Sequence, residues 1–143
     1  SRGLGDVYKR QASDTAGNEM TYTYDAAGNL TSQTDVLGRT ASVTYDAFGR
    51  AVSVTGIDGV TTRYTYDASD RLLTVTDGEG KVTSYAYDAE GNLIHTTEPG
   101  KAEYAYTYDA LNRLTRKVDP EGAATEFFCS DSPPAFLLLV NGC

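Results

Sequence analysis

The chain has 143 residues and a formal net charge of −8 at pH 7. That sign argues against a nucleic-acid backbone or an anionic membrane surface as partner. Two cysteines and one histidine leave little for a metal cluster or a disulfide framework. The longest apolar run, Ala135 to Val140, falls far short of the roughly 20 residues of a membrane helix, so this segment is not expected to insert.

In chain order, residues 1–11 stand apart. Asp6-Val7-Tyr8-Lys9-Arg10-Gln11 is the translation of GAT GTG TAT AAG AGA CAG, which resembles the transposase end of a common sequencing-library chemistry. This stretch is read as an adapter-derived leader, non-native and disordered, and is expected not to pack.

Residues 12–127 carry the pattern. Tyr24-Asp25, Tyr45-Asp46, Tyr66-Asp67, Tyr87-Asp88 and Tyr108-Asp109 recur every 21 residues without insertion. A fixed period of this length marks one structural unit stacked on copies of itself, here five full repeats with partial ends. Three residues beyond each Asp come Gly28, Gly49, Asp70, Gly91 and Asn112, and Leu30, Ala51, Leu72, Leu93 and Leu114 follow two further on. A second beat, Asp14, Asp35, Gly56, Asp77, Glu98 and Asp119, is followed three residues later by Gly17, Gly38, Gly59, Gly80, Lys101 and Gly122.

Both beats predict turns. An Asp carboxylate accepts backbone N–H groups ahead of it, and Gly takes positive φ without a Cβ clash. Asp70 and Asn112 are the residue types that tolerate that region best after Gly. Lys101 is poorer, and Pro99-Gly100 before it predicts a turn built differently. Between turns the runs alternate with period two, as in Tyr64-Thr65-Tyr66, or are short and β-branched, as in Leu72-Leu73-Thr74-Val75-Thr76. No window shows a capped helical period. The expectation is therefore all-β: tandem 21-residue hairpins forming a coiling antiparallel sheet, with equivalent tyrosines packed as a ladder across strands. Large aliphatic residues are too sparse for a compact core.

Residues 128–143 leave the pattern. Cys129-Ser130 stands where Tyr-Asp is due, and Ser132-Pro133-Pro134 and an apolar run follow. A frame error is the favoured reading; the start of another segment or a natural terminus are the others.

No chemistry emerges. His95 lies where other copies have Ser32, Ser53, Thr74 and Arg116, so it reads as a surface strand residue. No nucleophile elbow, phosphate-binding loop or His/Cys ligand cluster is present. The repeated aspartates offer one carboxylate per turn, too few oxygens for calcium. The expectation is no catalytic, cofactor or metal site. The residues singled out are the structural motif itself: Tyr24, Asp25, Gly28, Tyr45, Asp46, Gly49, Tyr66, Asp67, Asp70, Tyr87, Asp88, Gly91, Tyr108, Asp109 and Asn112.

The unit Tyr-Asp-Ala-x-Gly-[Asn/Arg]-Leu, with Asp-x-x-Gly midway, closely resembles the Rhs/YD-repeat family over about Ser13 to Phe127. The resemblance implies a segment of a hollow β shell enclosing a variable C-terminal toxin in a secreted polymorphic toxin, or a bacterial cell-surface protein. Its partners would be neighbouring repeats of the same chain and the enclosed toxin domain. The family's autoprotease signature finds no match here. The alternative is a surface adhesion or glycan-binding module that uses exposed tyrosines as stacking platforms.

Overall fold

A computed structural model describes residues 8–13, 15–17 and 19–128. It contains twelve strands and, among the described residues, no helix: β1 (Tyr8–Ser13), β2 (Glu19–Tyr24), β3 (Leu30–Thr34), β4 (Thr40–Tyr45), β5 (Ala51–Thr55), β6 (Thr61–Tyr66), β7 (Leu72–Thr76), β8 (Val82–Tyr87), β9 (Leu93–Thr97), β10 (Glu103–Tyr108), β11 (Leu114–Val118) and β12 (Ala124–Glu126). From β2 to β11 strands of six and five residues alternate because the two arms of each 21-residue unit have those lengths. The described residues form two compact units, one made of those up to Thr65 with Val75–Gly80, the other of Tyr66–Thr74 with those from Lys81 on.

In the first unit β1 pairs antiparallel with β2, β2 with β3, β3 with β4, β4 with β5 and β5 with β6. Each strand thus meets its sequence neighbours. The second unit repeats this through β8, β9, β10, β11 and β12. Hairpins across the Asp-x-x-Gly turns are regular, as in Ser32↔Ser42, Gln33↔Ala41 and Thr34↔Thr40. Those across the Tyr-Asp turns carry a bulge. Thr23 faces Ser32 but Tyr24 faces Leu30, so Thr31 has no opposite number. Val52, Ile94 and Thr115 are skipped in the same way. A bulge bends its strand and increases local twist.

The expectation for the leader fails in part. Residues 8–11 belong to β1, which pairs with β2 from Tyr8↔Tyr24 to Ser13↔Glu19. The reason is phase: Lys9 to Ser13 stand 21 residues before Leu30 to Thr34 and can take the same place on the exposed edge of β2. The Arg10 guanidinium also lies 5.8 Å from the centre of the Tyr24 ring, a favourable cation–π distance. Residues 1–7 and 129–143, with what the sequence suggested for them, lie outside the described residues.

No hydrophobic side chain is buried among the described residues; the one buried residue is Thr96. Cohesion therefore comes from ladder hydrogen bonds, cross-strand pairs and turns. Hydroxyl pairs flank the regular turns, with Thr34 Oγ1 2.8 Å from Thr40 Oγ1 and Thr55 Oγ1 2.8 Å from Thr61 Oγ1. One close approach is steric. Val60 leans onto Gly78, where a Cβ would collide with the valine Cγ1.

The turn closers all have positive φ where described. Gly49 stands at 79°, Asp70 at 63°, Lys101 at 68° and Asn112 at 61°. Gly100 is also positive, at 90°, so Glu98-Pro99-Gly100-Lys101 combines a type II turn with a left-handed closer. A Cβ on Gly49 would meet nothing within 4 Å, so substitution there probes backbone strain alone. Gly49→Val is expected to cost about 1–2 kcal/mol, Ala47→Val less than about 0.5 kcal/mol, and Gly49→Asn to fall between them. Denaturant midpoints of the three variants check this; equal losses for the two valines would refute the turn geometry.

Candidate functional site

The repeated feature that organises this chain is a five-residue clasp. In the first unit Asp25 Oδ1 accepts the N–H groups of Ala27 at 3.0 Å and Asn29 at 2.9 Å, while Oδ2 accepts Asn29 Nδ2 at 3.0 Å. The backbone closes the same ring: Gly28 N donates to Asp25 O at 3.0 Å and Asp25 N to Asn29 O at 2.9 Å. The left-handed residue lets the chain turn back within this frame.

Where arginine replaces Asn29, the clasp gains charge. Asp46 accepts from Phe48 N and Arg50 N, and its Oδ2 sits in the arginine fork, 2.7 Å from both Nε and Nη2. In the second unit Asp67 and Asp109 hold Arg71 and Arg113 in the same way, and Asp88 holds Asn92. The Asp-x-x-Gly turns use the same frame, with Asp35 binding Leu37 N, Arg39 N and Arg39 Nε. Gly56 has no carboxylate, and Asp58 supplies one by accepting from Val60 N at 3.0 Å.

These bonds favour the charged carboxylate and hold its pKa below the ordinary value. At Asp25, Asp35 and Asp88 the largest cause is the side chain of Asn29, Arg39 and Asn92 respectively. At Asp67 and Asp109 it is the backbone N–H of Arg71 and Arg113. At Asp46 desolvation is the largest single influence and opposes the shift, but the bonds from Arg50 and Phe48 and the Arg50 charge together outweigh it.

The tyrosine before a clasp can do a second job. Tyr45 Oη donates to Leu30 O, Tyr87 Oη to Leu72 O and Tyr108 Oη to Leu93 O, each at 2.9 Å and across 15 residues. Each hydroxyl thereby ties a hairpin to the start of the arm before it. The expected ladder of packed rings takes this different form for a geometric reason. Equivalent tyrosines are two strands apart, on the order of 9.5 Å, whereas the intervening carbonyl is within reach of the hydroxyl. Burial raises the pKa of Tyr87 and Tyr108, which keeps the donating proton in place.

Tyr24, Tyr45, Tyr66, Tyr87 and Tyr108 each end a strand. Asp25, Asp46, Asp67, Asp88 and Asp109 each open the turn that follows, and Gly28, Gly49, Asp70, Gly91 and Asn112 occupy its positive-φ position. Sequence reasoning gave no role to Asn29, Arg50, Arg71, Asn92 and Arg113. Their shared signal is that both residue types present an N–H donor to a carboxylate. His95 lies in β9 opposite Ala86 and Ala105.

Two outcomes follow. Tyr45→Phe removes a donor and leaves the Leu30 carbonyl without that partner; it is expected to cost about 1 kcal/mol, read as a lower denaturant midpoint. The clasp aspartates have folded pKa values below the unfolded 3.8. Their stabilisation is therefore complete above that value and disappears as pH falls through the lower folded values. Asp67→Asn should flatten the acid limb of a stability–pH curve, and an unchanged limb would contradict the clasp's charged form.

The Teneurin YD-shell family model matches residues 5–135. Among solved structures, the chain is similar to a Tc holotoxin pore of Photorhabdus luminescens carrying a TccC3 mutation, at 25% identity and a TM-score of 0.60, covering 75% of this chain and 6% of that one. It is also similar to TcdB2-TccC3-TEV and to TcdB2-TccC3 without its hypervariable C-terminal region, each at 25% identity and a TM-score of 0.58, covering 71% of this chain and 5% of the other. No curated protein matches it. With the family model spanning nearly the whole sequence and the clasped hairpins in phase, the chain belongs to the Teneurin YD-shell family and is a structural shell segment.

Proposed function

We propose that this chain is a stretch of wall in an Rhs/YD-repeat shell that encloses a C-terminal toxin within a secreted polymorphic toxin. It works by obstruction, without chemistry of its own. The observation that carries this reading is the tyrosine tie. A hairpin closed by its own clasp and bound to its predecessor by ladder and hydroxyl has few ways to open locally, which is what a barrier between a payload and its surroundings needs. Similarity to TcdB2-TccC3 without its hypervariable C-terminal region supports a parent whose variable portion lies after the repeats. The chain spans about 6% of the holotoxin chain it matches, so the enclosed partner belongs to the longer protein.

The test is a long read of the native gene through both ends of this sequence, followed by protease digestion of the encoded full-length protein. Repeats leading to a closing segment and a small variable domain, with that domain resisting protease until the repeats are denatured, are expected. Repeats leading to a wall anchor, or a downstream domain cut as fast in the intact protein as when isolated, would overturn enclosure and favour surface adhesion.

A further inference from the structure

The repeats of the second unit differ at one position in a way that leaves a vacancy. Arg71 spans the gap to the next Tyr-Asp turn. Its guanidinium stacks 5.0 Å from the centre of the Tyr87 ring, Nη1 donates to Asp88 O at 2.9 Å, and Nε is held by Asp67. One repeat on, Asn92 occupies the arginine's place. Its short amide donates to Asp88 Oδ2 and to Asn112 Oδ1, both at 2.9 Å, and goes no further.

Where the guanidinium would lie there is an open groove of about 430 Å³, walled by Asp88, Glu90, Tyr106, Tyr108, Asp109 and Asn112. Tyr108 and Asp109 are the counterparts of Tyr87 and Asp88. Among the described residues the Tyr108 ring carries no cation, and the Asp109 carbonyl takes only the Asn112 N–H. Asp109 Oδ2 is occupied by Arg113, but the Asp88 carboxylate is held by neutral amides, and no basic residue is among those that line the groove with Glu90.

We propose that this groove binds a guanidinium group, presented by an arginine side chain of a polypeptide partner. The same chain shows the mode of binding one repeat earlier: ring face, carbonyl and carboxylate converge on one planar cation. Ile94 and Ala110 also line the groove and offer apolar surface to an arginine stem, which a bare ion would not use. Lysine lacks the planar fork and fits such a stacked site less well. The proposal concerns ligand recognition and does not depend on enclosure of a toxin.

The test is an NMR titration of the side-chain amides of Asn92 and Asn112 with Ac-Gly-Arg-Gly-NH2, Ac-Gly-Lys-Gly-NH2 and free arginine. Saturable shifts with the arginine peptide are expected in the millimolar range, at least about fivefold weaker with the lysine peptide, and weaker again with free arginine, whose own carboxylate is repelled. Asn92→Arg places in this repeat the residue that positions 50, 71 and 113 already carry. It should fold, raise the melting temperature and abolish the shift at Asn112. Glu90→Gln, on the exposed rim, should weaken binding about threefold with the fold intact. Absence of a saturable shift, equal binding of the lysine peptide, or binding that survives Asn92→Arg would overturn the site. Free arginine binding more tightly than the peptide would overturn the polypeptide source.

Discussion

An aspartate that accepts the N–H groups two and four residues ahead of it fixes where the chain reverses. It satisfies backbone donors that a turn otherwise leaves to water. It also dictates the geometry of the fourth residue, which must enter the left-handed region for the fifth to complete the ring. With both turns of the unit closed in this way, the arm lengths are fixed, and so is the strand register. With no apolar side chain buried among the described residues, specificity cannot come from core packing, so the turns supply it.

The tyrosine hydroxyl and the bulge act one level up. A clasp organises a single hairpin and says nothing of its neighbour. The bond from Tyr87 to Leu72 O, or from Tyr108 to Leu93 O, joins one hairpin to the arm before it. Phenylalanine could fill the same space without making this connection. The skipped residue, Thr31 in one hairpin and Ile94 in another, falls just after the carbonyl that receives the hydroxyl. Bulge and tie therefore occur together at each of these corners, and the regular hairpins between them have neither.

Much of this was legible in the sequence because turns are local. Asp at one position and Gly, Asp70 or Asn112 three later encode a reversal within five residues, and alternation within the arms encodes the strands. The exceptions were legible too: Pro99-Gly100 announced its own turn. What escaped was non-local or relational. The tyrosine tie crosses 15 residues to a backbone atom, which no side-chain pattern reveals. The donor role of Asn29 and Arg50 was hidden because a neutral amide and a cation look unlike until both are seen reaching the same Oδ2. The strand at Tyr8–Ser13 is preceded by no Tyr-Asp pair and is legible only through its phase with Leu30–Thr34.

The thinness of this array has an evolutionary consequence. Side chains along the arms are half-exposed and have few steric obligations, while nearly all the requirements fall on turn positions and the tyrosine hydroxyls at positions 45, 87 and 108. Ser32, Ser53, Thr74, His95 and Arg116, four residue types at one equivalent site, show the latitude this gives. Such a scaffold can change the chemistry of its surfaces, acidic, aromatic or hydroxylated, one repeat at a time, without renegotiating its fold.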